Sequence, residues 1–215
     1  MSTDKLIKEL TNDLKPVKPI GSIFRRLLIC IIFTVLLIRG AAYYIGEPGQ
    51  PLSEMLTAEF SIEIGLLFIS GILAIAAALK LSIPDTKIRP LTLALLLLPT
   101  IIVIGMHIYG YLRLSGVTLI DEMHNHDRFL KEIFDLLLMI TIPTAMLFYV
   151  VGKAAPTFKL WTGYSIVLAT ACFAAIALRM FCGIDHGAHL ILYHYLPVLG
   201  VSLIGIFIGW FCLRW

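Results

Sequence analysis

Charge is scarce in this chain. Lys, Arg, Asp and Glu make up 14% of its 215 residues, and hydrophobic residues make up 59%. Soluble domains run near 25% and 45–50%, roughly. The composition excludes a water-soluble fold and fits a polytopic membrane protein, so length does not convert into a count of soluble domains. A net charge of +3 gives no reason to expect direct contact with nucleic acid. Enzyme signatures are lacking too. Gly163-Tyr-Ser165 has no second glycine to make a nucleophile elbow, and there is neither an H-E-x-x-H helix nor a phosphate-binding loop. No catalytic constellation is found. Low-complexity tracts and internal repeats are also missing.

Cysteine is sparse, with four in all, and their placement excludes a disulfide framework. Cys172 lies ten residues before Cys182, about 15 Å along a helix at ~1.5 Å per residue. Cys30 and Cys212 fall toward the other side, beyond ordinary Cα separations for a bridge.

What is abundant is long apolar sequence. A bilayer core needs about 20 apolar residues per helix. Six stretches qualify: Leu27–Ile45, Ile62–Leu79, Leu91–Leu112, Ile133–Val151, Trp161–Phe181 and Leu190–Leu213. The fold class is therefore all-α, a membrane bundle of six transmembrane helices. The first stretch is read as a span and not as a cleaved signal, since its polar lead is long and no A-x-A site follows. With the N-terminus inside, the cytoplasmic pieces carry twelve of the seventeen Lys and Arg residues, from Lys5 to Arg214, and the outer side carries Arg39, Arg113, Arg128, Lys131 and Arg179. This positive-inside bias puts both termini in the cytoplasm. The inner loops, Lys80–Pro90 and Gly152–Leu160, are short. The outer loops, Gly46–Ser61, Arg113–Glu132 and Cys182–His189, are too short for folded domains.

The organisation is thus residues 1–22 as a cytoplasmic segment and 23–215 as the transmembrane domain. Within the lead, Leu6, Ile7, Leu10 and Leu14 fall on one side of a helix, with Lys5, Lys8, Glu9, Thr11, Asn12 and Asp13 on the others. Ser2 or Thr3 caps it, Asp4 suits the positive end of the dipole, and Pro16 and Pro19 stop it. A helix of about twelve residues is marginal in water alone, so this stripe calls for a surface to pack on.

All six histidines fall in the outer half. His124 and His126 sit in the second outer loop with Asp121, Glu122 and Asp127. His186 and His189 sit in the third with Cys182 and Asp185, and His107 and His194 lie within spans three and six. Thiolate, imidazole and carboxylate are ligands for Zn²⁺ and related ions. His186-x-x-His189 has i, i+3 spacing, so His124, His126, Cys182, His186 and His189 form a candidate divalent-metal set at the outer face. The plainer alternative is polar loop residues at an interface. No cofactor is required. Arg39, Glu63, His107, Asp135 and Arg179 are ionisable groups at outer span ends, read as snorkelling or paired. Gly205-x-x-x-Gly209 and Ser70, Ala74, Ala78 permit close helix contact. A homo-oligomer, through such residues or through Cys182, stays open.

The chain resembles the NrsF (negative regulator of sigma F) family. The likeness rests on Leu6-Ile7…Leu10…Asp13-Leu14…Pro16-Val17 in the lead and on six spans in a chain of this length. It extends to Phe60 opening span two, Ser82-x-Pro84, Ala155-Pro156-Thr157, Cys182, His194 and a terminal Arg214-Trp215. The resemblance implies a bacterial inner-membrane anti-sigma factor. Its cytoplasmic segment would hold an extracytoplasmic-function sigma factor through Leu6, Ile7, Leu10, Asp13 and Leu14 and release it on an outer signal such as metal or oxidant. It also makes Cys182 and His194 candidate sensing residues. Family members commonly carry a second outer cysteine at the start of span four, where this chain reads Ile133-Phe134-Asp135. The alternative class is a small ion transporter or channel, against which the apolar span centres count. A structural subunit whose lead lies on the lipid is disfavoured by Asp4, Glu9 and Asp13.

Overall fold

A computed structural model of the protein describes residues 3–12, 22–45, 51–84, 86, 89–114, 119–123, 126–154 and 156–214. Every regular element among these is helical. Six helices are long and apolar enough to cross a membrane: Ile23–Ile45, Ala58–Leu81, Pro90–Arg113, Arg128–Gly152, Lys159–Phe181 and Gly187–Cys212. We call them spans one to six. Several begin a turn or more before the apolar runs that mark them in the sequence. Span four is the clearest case, its helix running His126–Gly152. Its polar first turns keep helical geometry, with Lys131 set 3.6 Å from Asp135 at i, i+4. The described part of the lead is a helix, Thr3–Asn12; Pro16 and Pro19, expected to stop it, lie outside the described residues.

Span five is the core of the bundle. Its apolar window is 83% buried, against 22% for spans one and three, and it packs on spans one, two, four and six. The sequence explains why. Gly163, Ser165, Ala169, Ala171, Cys172, Ala174 and Ala175 give it a thin profile, and in lipid close van der Waals approach replaces the hydrophobic effect as the force joining helices. At Gly163 the approach is backbone to backbone. A Cβ there would lie 2.2 Å from the Gly205 carbonyl and 2.6 Å from the Gly209 Cα. The Gly205-x-x-x-Gly209 pair is therefore consumed within the chain, as the seam between spans five and six. Hydroxyl pairs add further joints: the buried Ser70 with Thr100 at 2.6 Å and the half-buried Thr144 with Thr170 at 2.8 Å.

The two ends of the bundle differ in chemistry. At one, Arg26 donates to the Val150 carbonyl at 3.3 Å, and Gly152 approaches Leu213. The other, the Cys182 end, gathers the buried ionisable groups. Span six enters from this end irregularly. After a single turn, Gly187–His189, it runs as a π-helix over Leu190–Tyr195 before continuing as α-helix over Leu196–Cys212. The Leu196 N–H reaches back five residues to the Ile191 carbonyl. Pro197 gives a local reason: it has no N–H for the residue four before it, and its ring crowds that carbonyl. A widened turn relieves both, and such π segments recur at functional sites.

Candidate functional site

The π turn decides which side chains meet. On an α-helix two residues five apart point about 140° away from each other. With i to i+5 hydrogen bonding they come nearly into line, and His189 and His194 stand with ring centroids 5.4 Å apart. Both are fully buried. The His189 Nε2 lies 3.2 Å from the Cys182 sulfur. Glu132, from the start of span four, completes the group. One donor atom from each of Glu132, Cys182, His189 and His194 lies within 4.8 Å of every other.

A second carboxylate stands behind the first group. Glu122, on the short helix Leu119–Met123, is buried. Its Oε2 is 3.5 Å from the His189 Nδ1 and its Oε1 is 3.0 Å from the His186 Nε2. The Tyr193 hydroxyl donates to the Glu122 carbonyl at 2.6 Å, tying the second loop to span six. His186 in turn accepts the His189 N–H on its Nδ1 at 3.2 Å. Among the described residues, neither ring nitrogen of His194 has a hydrogen-bond partner, an unusual state for a buried imidazole. Burial pushes the Cys182 thiol up from its ordinary range, which a backbone hydrogen bond at Ile184 and the nearby Arg179 and Arg128 only partly oppose.

Beside this group, reached through the next residue of span six, lies a network of opposite charges. The Arg179 Nε donates to Glu63 at 3.0 Å, and the Arg179 NH2 group binds Asp185. The Tyr195 hydroxyl donates to Glu63, and the His107 Nε2 is 3.4 Å from the same carboxylate. The His107 ring stacks on Tyr195 at 4.8 Å. Four spans are joined here, and the network borders a cavity of about 830 Å³ lined by Glu63, His107, Arg179, Asp185, His186 and Leu190. The pairing expected of span-end charges thus holds for Glu63 and Arg179. Arg39 is exposed and rests over the Phe181 ring.

Of the candidate metal set, the structure brings Cys182 and His189 together. It turns His186 outward from their donor atoms, onto Glu122. His124 lies outside the described residues, as does the side chain of His126. His194, singled out as a sensing residue, joins Cys182. Glu132 and Glu122 were not singled out as ligands in the sequence. The only signal for Glu132 was its place at the outer start of span four, on the same side of the bundle as the third outer loop. In the lead, Leu6 and Ile7 are 44% and 54% exposed, while the side chain of Leu10, and Asp13 and Leu14 entirely, lie outside the described residues.

A family profile described as NrsF, negative regulator of sigma F, matches residues 10–215. No curated protein and no solved structure matches the chain.

Proposed function

The chain belongs to the NrsF family, negative regulators of a sigma factor, and on that premise we propose that it is a membrane anti-sigma factor of the bacterial inner membrane. It holds an extracytoplasmic-function sigma factor at the membrane through residues 1–22 and releases it when a signal acts at the Cys182 end. The family match over residues 10–215 carries this reading. Three features support its details. The Lys and Arg bias puts both termini in the cytoplasm, where a sigma factor is found. The lead is the one long polar segment on that side of the sequence, and its helix leaves Leu6 and Ile7 open to solvent. That is the geometry of an amphipathic helix that lies in an apolar groove of its partner. A sigma factor so held cannot join RNA polymerase.

The test uses the full chain expressed in bacterial membranes together with an extracytoplasmic-function sigma factor from the same genome. The sigma factor sediments with the membranes and its target promoters stay silent. With Leu6→Asp and Ile7→Asp together, the protein still inserts, the sigma factor moves to the soluble fraction and the promoters switch on. Unchanged retention and repression in that variant would overturn the assignment of the lead.

A further inference from the structure

Four donor atoms of the kinds zinc takes converge beside Cys182. We propose that Glu132, Cys182, His189 and His194 bind one divalent cation of the zinc class, fastening span four to the hairpin of spans five and six.

Geometry supports this first. Zinc bonds of about 2.0–2.3 Å in a tetrahedron set neighbouring ligand atoms about 3.5 Å apart. The four atoms already lie within 4.8 Å of one another, so a contraction of about an ångström closes the site. Charge supports it next. A thiolate and a carboxylate cancel a dication, and two neutral imidazoles add none, so the loaded site is neutral where isolated charge is costly. Sulfur and nitrogen donors disfavour Mg²⁺ and Ca²⁺, which take oxygen.

Two further observations point to a ligand and not merely to a polar cluster. A histidine that binds metal through one nitrogen commonly gives its other N–H to a carboxylate. His189 approaches this arrangement, its Nε2 3.2 Å from the Cys182 sulfur and its Nδ1 3.5 Å from the Glu122 Oε2, an ion-pair distance that shortens to a hydrogen bond with a small turn of the ring. His194 supplies the second. It is 1% exposed, belongs to the same donor group, and both its ring nitrogens are unpartnered among the described residues. A buried imidazole so placed lacks something to bind. The π turn over Leu190–Tyr195 then has a purpose, since it faces His194 toward His189. With four protein ligands the site is closed, the form of structural zinc and not of catalytic zinc.

The inference deepens the regulatory reading above by giving the Cys182 end a ligand. Binding is measured on the chain alone, so its failure is distinct from a failure to capture a sigma factor. The full chain, purified in detergent and stripped with chelator, is titrated with Zn²⁺ against a chromophoric chelator and with Co²⁺ by absorbance. We expect one Zn²⁺ per chain and a thiolate-to-cobalt charge-transfer band. Cys182→Ser removes the band. His194→Gln and Glu132→Gln each weaken Zn²⁺ binding by more than about tenfold, and Glu122→Ala does so by about 10- to 100-fold through the His189 ring. Cys212→Ser, at an exposed thiol, leaves both unchanged. The proposal is overturned if the wild-type chain takes up no stoichiometric Zn²⁺ at micromolar concentration, a result independent of how any variant folds. It is overturned equally if Cys182→Ser and His194→Gln bind as the wild type does.

Discussion

Glu63 on span two and Arg179 on span five sit 116 residues apart in the chain and 3.0 Å apart in space, each no more than 3% exposed. The pair is not left bare: Tyr195 and Asp185 supply further hydrogen bonds. A buried pair of this kind adds little net stability over an apolar replacement, yet removing one partner strands the other. Glu63→Ala should therefore destabilise the bundle by about 3–5 kcal/mol, read from thermal or SDS unfolding of the purified protein. Adding Arg179→Met to Glu63→Ala should restore part of that loss. Simple additivity of the two changes would show that the residues do not act as a pair.

The seam at Gly163 predicts an asymmetry among glycines. Gly163→Val forces a side chain into the backbones of Gly205 and Gly209, where nothing flexible can move aside. We expect a loss of at least about 1–3 kcal/mol, the usual range for overpacking. Gly200 has nothing within 4 Å of the position its Cβ would take, so Gly200→Ala should stay within about 0.5 kcal/mol. Equal stability of the two variants would remove the seam as a source of specificity.

The Cys182 thiol should be slow to alkylate. Burial holds it protonated above the pH at which thiols ordinarily ionise, about 8.5, and the thiolate is the nucleophile. In the folded, metal-stripped protein the labelling rate of Cys182, followed by mass spectrometry, should still be climbing at a pH where thiols of the denatured chain have levelled off. A plateau at or below the ordinary thiol pH would contradict the buried, uncharged thiol.

The lead helix should form on its partner. Isolated helices shorter than roughly 12–15 residues are marginal in water, and the described part of this one, Thr3–Asn12, has ten. A peptide of residues 1–22 should show weak helical circular dichroism, with helix appearing on addition of the sigma factor. A peptide that stays unstructured while bound would show that the partner reads an extended segment.

The spans were legible in the sequence because an unbroken apolar run of about twenty residues matches the thickness of a bilayer core and exceeds what a buried soluble helix needs. Their ends were less so. Hydropathy stops at Ile133 in span four, while the helix runs back through Glu132 to His126, because backbone hydrogen bonding continues where polarity begins. Hydropathy therefore assigns Glu132 to a loop, where nothing marks it as a ligand. The histidines misled for another reason. His186 and His189 have the spacing that an α-helix puts on one face, but the partner of His189 beside Cys182 is His194. That pairing depends on a π turn, which periodicity of 3.6 cannot show. The contact of Glu63 with Arg179 is set by how spans two and five pack, and spacing along one chain carries no record of it.

The glycine seam has a mechanical consequence. Spans five and six touch backbone to backbone at the end far from Cys182, so sliding of one past the other would drive backbone into backbone, whereas rotation about that pin would not. From Gly163 to Phe181 the lever is about 27 Å long at ~1.5 Å per residue. A swing of about 2° at the pin moves Cys182 by about 1 Å relative to His194. Displacements too small to disturb the apolar packing near the pin are thus enough to open or close the gap between a thiol and an imidazole at the tip.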